Sequence, residues 1–139
     1  MSASSGTVRG LAHVALAVQD ADAVAARFVA ALGATRGREE MLDGGALRVV
    51  FLKLGEVTLE LLEPRSKEHT VARFLETRGP GLHHVSFEVD DVAAALARAR
   101  DAGVQPIDSE PRPGAHGSQV AFLHPRSLFG VLVELCQPR

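Results

Sequence analysis

With 139 residues and 46% hydrophobic side chains, the chain is sized for a single globular domain with a substantial core. Its 15 basic and 17 acidic residues are scattered singly and leave a formal charge of −2, which provides no basic face for nucleic acid or for a membrane surface. No stretch approaches the ~20 apolar residues of a membrane span, the small polar start Met1–Gly10 lacks a signal-peptide pattern, and the lone Cys136 cannot close an internal disulfide, so a cytoplasmic protein is expected.

After a flexible start, Leu11–Val18 is an apolar run of strand length whose one polar member is His13. Asp20 and its neighbours offer an N-cap, and Val24, Phe28, Val29 and Leu32 recur at helical spacing until Gly33. Thr35–Met41 reads as a short strand before the Gly44-Gly45 turn. Leu47–Leu54 and Val57–Leu62 then read as a hairpin about Gly55-Glu56, closed by Pro64. Arg65–Lys67 opens a linker, with Thr70 as the expected cap of a short helix that presents Val71, Phe74 and Leu75 and ends at Gly79.

Beyond Gly79-Pro80-Gly81 the plan repeats. A strand spans Leu82–Val89, Asp90-Asp91 cap a helix with Val92, Ala95, Leu96 and Ala99 inward, and Gly103 ends it. A strand is expected at Val104–Asp108, a loop without regular structure at Pro111–Gly117, and strands at Gln119–Leu123 and Val131–Cys136. The two halves also match residue by residue. Leu11-Ala12-His13-Val14 aligns with Leu82-His83-His84-Val85, and Val57-Thr58-Leu59-Glu60-Leu61 with Val131-Leu132-Val133-Glu134-Leu135. The expected fold is therefore α+β, two paired β-α-β-β-β modules forming a cupped mixed sheet. It makes one domain over residues 1–139, with half-modules at about 8–65 and 79–139 and a helical linker at 66–78.

Each half places a histidine early in its first strand and a glutamate in the middle of its last. A carboxylate in an apolar strand costs several kcal/mol unless it is paired or bound to a metal. His13, Glu60, His84 and Glu134 together make a 2-His-2-Glu donor set suited to a divalent ion such as Co, Zn, Mn or Ni. Adjacent strand residues point to opposite faces, so His83, whose repeat partner is Ala12, is expected to be a packing or surface histidine. His69 is expected in solvent, His124 in a turn, and His116 in a loop able to reach a substrate. Phe28, Phe51, Phe74, Phe87 and Phe122 read as core.

On these residues the chain resembles the vicinal-oxygen-chelate superfamily and, within it, the methylmalonyl-CoA epimerase family. The most specific stretches are Leu59-Glu60-Leu61-Leu62-Glu63-Pro64, Gly81-Leu82-His83-His84-Val85, and Ala121-Phe122-Leu123-His124-Pro125-Arg126-Ser127 with Gly130-Val131-Leu132-Val133-Glu134-Leu135. The resemblance implies one divalent metal, Mg among the possible ions, held at His13, Glu60, His84 and Glu134. It further implies an acyl-CoA substrate whose 2R and 2S epimers interconvert through an enolate, and a homodimer. Glu134 is the expected general base, and the segment Arg112–Gln119 is a candidate contact for coenzyme A. Some family members carry a further glutamate where this chain has Arg48 and Val49, which leaves Glu60 as the candidate second base here and a bound water or a loop acid such as Glu39 or Glu40 as fallbacks. The rival readings are a glyoxalase I-type lactoylglutathione lyase and a non-catalytic small-molecule-binding protein of the same superfamily.

Overall fold

The structure is a computed structural model that describes residues 5–139, so Met1–Ser4 of the expected flexible start lie outside the described residues. Two compact units divide the rest: residues 13–83, and residues 84–139 together with the chain up to Ala12.

The unit of residues 13–83 is built on β1 (Val8–Ala17), α1 (Ala21–Leu32), β2 (Thr35–Leu42), β3 (Leu47–Leu54), β4 (Val57–Pro64) and α2 (Thr70–Arg78). Its strands lie in the order β2-β3-β4-β1, with β1 parallel to β4 and the other pairs antiparallel. Asp20 caps α1 by accepting from the Ala23 N–H, and Gly33 ends it in the left-handed conformation with φ 69°, where a side chain would be strained. Val18, Ala21, Ala25, Val50, Leu52 and Leu61 form the core between this helix and one face of the sheet. Burial of each large aliphatic side chain there contributes about 1.5–3 kcal/mol.

The other unit holds β5 (Gly81–Val89) from His84 onward, α3 (Val92–Asp101), β6 (Arg112–Pro113), β7 (Gln119–Leu123) and β8 (Val133–Gln137). Its order is β5-β8-β7-β6, again with the first pair parallel and the rest antiparallel. Asp91 caps α3 by accepting from the Ala94 N–H, and the Gln137 side-chain oxygen accepts from the Val92 N–H. Val89, Val92, Ala95, Leu96, Ala121, Leu123 and Leu135 make its core.

Several local expectations are corrected. The start is not wholly unstructured, because β1 begins at Val8 and Gly6 lies against α3, where an added Cβ would stand 2.6 Å from Ala94 and Ala95 backbone atoms. The Arg98 Nη1 also donates to the Ser5 carbonyl at 3.4 Å, so the chain up to Ala12 groups with the second repeat. Val104–Asp108 is no regular strand. Its link to β7 is an isolated bridge at Pro106, which has no N–H to donate, flanked by bonds from Ile107 N to Phe122 O and from His124 N to Gln105 O. Within Pro111–Gly117, Arg112–Pro113 pairs with β7 and Ala115–Gly117 forms a 3₁₀ turn. His69 rather than Thr70 caps α2: its Nδ1 accepts from the Val71 N–H while Nε2 meets Asp43 at 2.7 Å, so it is not the solvated histidine expected.

Candidate functional site

Strand register decides which side chains share a face. In the first unit Glu60 lies opposite both Ala15 on β1 and Phe51 on β3, and Val49 lies opposite Leu62 on β4 and Glu40 on β2. Directly opposed residues share a face and alternate ones repeat it, so His13, Ala15, Glu60, Phe51, Val49 and Glu40 occupy the face turned away from α1. His13 Nδ1 stands 3.0 Å from Glu60 Oε2, and both residues are buried, 8% exposed each. Burial lowers the His13 pKa to about 4, which keeps its ring a neutral donor near pH 7.

Arg48 and Val49 are adjacent strand residues and point to opposite faces. Arg48 faces α1, donating to Asp22 through two bonds of 3.0 Å and to Glu39, and lying 3.5 Å from Glu63. These partners hold the guanidinium charged, and Arg48 with Arg36 lowers the Asp22 carboxyl to about 2. Glu63 is a structural carboxylate: Oε2 accepts from the Ala21 N–H at 2.8 Å at the start of α1. Val49 is on the Glu60 face and fully buried. The fallback acids stand in β2 rather than in a loop, with Glu39 tied to Arg48 and Glu40 on the face of Glu60.

In the second unit Glu134 lies opposite Ser86 on β5 and Phe122 on β7, and Arg112 lies opposite Val120. The face turned away from α3 therefore carries His84, Ser86, Glu134, Phe122 and Arg112. Ser86 Oγ donates to Glu134 Oε1 at 2.7 Å, with Ser86 fully buried and Glu134 7% exposed. Burial pushes the Glu134 pKa up to about 7, against the opposing effect of the Ser86 hydrogen bond. The His84 and Phe122 rings meet edge to face, 5.0 Å between centroids, which restrains the imidazole. Arg112 lies over the same Phe122 ring at 5.4 Å and is anchored through Nε to Asp108, whose other oxygen accepts from the Phe122 N–H. Phe122 is thus more than core, a role that sequence periodicity does not signal.

His83 points the other way, edge-on to Phe74 of α2 at 4.9 Å, and burial with nearby His69 and Arg78 lowers its pKa to about 4. The packing role expected of it holds. His124 caps the 3₁₀ turn Pro125–Leu128 through Nδ1, as a turn residue should. His116 sits in its turn with φ 56°.

The donor chemistry fits a divalent ion. His13, His84 and Glu134 are buried imidazole and carboxylate groups able to hold a metal. The 3.0 Å between His13 Nδ1 and Glu60 Oε2 is also about the separation of two ligands at right angles on a metal ~2.1 Å away. A cation beside Glu134 would offset the desolvation that raises its pKa.

Residues 12–122 match the family described as the glyoxalase/bleomycin resistance protein/dioxygenase superfamily. The chain is 42% identical over 129 residues to an ethylmalonyl-CoA/methylmalonyl-CoA epimerase from Cereibacter sphaeroides, a match covering 91% of this chain and 96% of that one. Among solved structures it is similar to the methylmalonyl-CoA epimerase from Mycobacterium tuberculosis, with TM-score 0.90 and 32% identity over 100% of this chain and 93% of that one. It is similar as well to a Streptomyces coelicolor methylmalonyl-CoA epimerase variant in complex with 2-nitronate-propionyl-CoA, with TM-score 0.87, 34% identity and coverage of 94% and 97%. With its α+β fold and repeated donor strands, the chain belongs to the glyoxalase superfamily, within its methylmalonyl-CoA epimerase family.

Proposed function

We propose that this protein interconverts the 2R and 2S epimers of methylmalonyl-CoA by moving the proton on the carbon alpha to the thioester. A single domain would hold one divalent ion through His13, Glu60, His84 and Glu134. The observation that carries the reading is the buried glutamate recurring at equivalent places of the two repeats, each on a strand face that also holds a buried histidine. A lactoylglutathione lyase would draw on the same donor types, but the relatives named above are epimerases.

The ion, when bound, supplies Lewis acidity toward negative charge developing on the thioester oxygen. The protein's own groups move the proton. Glu134, held by the Ser86 hydroxyl, takes it from one face of the substrate. Glu60, at the corresponding place of the other repeat, delivers a proton to the opposite face, and the roles reverse for the other epimer. Val49 offers no carboxylate for that second face. The segment from Arg112 to Gln119 contacts the coenzyme A portion. Val8, Leu11, Phe129 and Val131 are exposed apolar residues that a second copy of the chain would cover in a homodimer. No helix among the described residues is long and apolar enough to cross a membrane, and a lone Cys136 suits a reducing cytoplasm.

The test is proton NMR of each epimer in D₂O with metal-loaded protein. Exchange of the α-proton and formation of the other epimer are expected, and absence of exchange from either epimer refutes the reading. Glu60→Gln should keep its metal, because an amide oxygen still coordinates, and should wash deuterium into one epimer without interconverting the two. Epimerisation at the parent rate would remove Glu60 from the mechanism and turn attention to Glu40.

A further inference from the structure

We infer that Ser86 is a positioning residue that fixes Glu134 for proton transfer on its own face of the substrate. The inference rests on the epimerase reading and adds a residue to its machinery.

The repeat makes the comparison internal to one chain. Glu60 lies opposite Ala15 on the parallel neighbour β1, and Glu134 lies opposite Ser86 on the parallel neighbour β5. Ala15 and Ser86 hold the same place in the two copies and both are fully buried. The methyl group of Ala15 can donate nothing. The hydroxyl of Ser86 donates to Glu134 Oε1 at 2.7 Å, a short bond to a carboxylate in a buried setting. Glu60 instead has His13 Nδ1 at 3.0 Å from its Oε2. Packing does not demand a hydroxyl on this strand, since alanine fills the equivalent place in the first copy.

One tethered oxygen restricts rotation of the carboxylate about its last torsion and fixes where the other oxygen stands. A general base must lie within hydrogen-bond reach of the proton it removes, so this restraint acts on the chemical step rather than on substrate affinity. Glu60 has a histidine rather than a strand hydroxyl at its carboxylate, so Ser86 acts on Glu134 and not on Glu60.

The experiment compares the parent with Ser86→Ala and Ser86→Thr, using each epimer separately in D₂O, together with Co(II) titration of the metal-free proteins followed by visible absorption. In Ser86→Ala, exchange from the epimer whose proton faces Glu134 should fall on the order of tenfold to a hundredfold, because small misplacement of a reacting group has that scale of effect. Exchange from the other epimer should hold, and KM should stay within about twofold. Ser86→Ala should still bind one Co(II), with an altered absorption band because Oε1 is released, and Ser86→Thr should restore both band and exchange. Equal slowing of both epimers, no slowing, failure of threonine to rescue, or loss of Co(II) binding would each overturn the positioning role. If the parent exchanged neither epimer, the epimerase reading would fall separately, and the Co(II) spectra would still test the tether on Glu134.

Discussion

The stability of the metal-free protein should rise with pH from about 4.5 and level off near pH 6.5, and three groups determine the profile. His13 and His83 are both lowered from 6.5 to about 4, and Glu134 is raised from 4.5 to about 7. For a histidine with a depressed folded pKa, the unfolded chain binds a proton between about pH 4 and 6.5 that the folded chain does not, so stability rises with pH across that window. Glu134 acts in reverse: the folded chain keeps a proton between about pH 4.5 and 7 that the unfolded chain has released, so stability falls as pH rises. Between pH 4.5 and 6.5 two protons favour the unfolded state at the low end against one that favours the folded state. The net slope starts at about +1.4 kcal/mol per pH unit and sums to roughly 2 kcal/mol over the window. Above pH 6.5 the unfolded-state histidines and the folded-state Glu134 lose their protons over the same range, the two effects nearly cancel, and the curve is flat. Urea unfolding of chelator-treated protein at half-unit steps from pH 4.5 to 7.5 measures this profile. Glu134→Gln should about double the slope below pH 6.5 and let stability rise by about 0.8 kcal/mol more above it. An unchanged slope in Glu134→Gln would refute the opposing contribution assigned to that carboxylate.

His84→Ala should lose metal and activity yet remain folded and less heat-stable, since a ligand set bound only by the native state contributes to its stability. His83→Ala, on the opposite face of β5, should retain the metal, and elemental analysis of both variants detects any error of one residue in that register. Arg48→Met should cost about 1–3 kcal/mol in chemical denaturation by stripping Glu63 and its neighbours of a charged donor, with metal content unchanged. Arg112→Ala should raise KM for methylmalonyl-CoA with little effect on kcat. A matching rise with the pantetheine thioester, which lacks the nucleotide phosphates, would move the contact of Arg112 from those phosphates to the acyl end.

The repeat carried most of the fold and singled out His13, Glu60, His84 and Glu134, all of them buried, because both depend on periodicity and on apolar strands interrupted at the same place. What it could not convey was tertiary. His69 looks like a solvated residue ahead of a helix until Asp43 is seen on its other nitrogen, a contact between residues far apart in the chain. Val104–Asp108 has strand-like composition, yet Pro106 removes the donor that a regular ladder needs. Arg112 falls in a Pro- and Gly-rich stretch that reads as an irregular loop, and only its pairing with Val120 shows that it shares a face with Glu134.

Register also decides how the departure at Arg48-Val49 should be understood. Read along the chain, the pair offers an arginine as a substitute for an acid. On the sheet that arginine belongs to the α1 side, where Asp22, Glu39 and Glu63 surround it, and on the Glu60 face the pair presents a fully buried valine, opposite Leu62. The carboxylates that share that face are Glu60 on β4 and Glu40 on β2. The exchange from Ala15 to Ser86 is as easily passed over, since one small buried residue replaces another. Its consequence lies across the sheet: an alanine leaves the carboxylate opposite it to a histidine, and a serine ties one of that carboxylate's two oxygens in place. A duplicated module can thus keep its two glutamates in register and still give them different partners, because the difference needs only one hydroxyl on the adjoining strand.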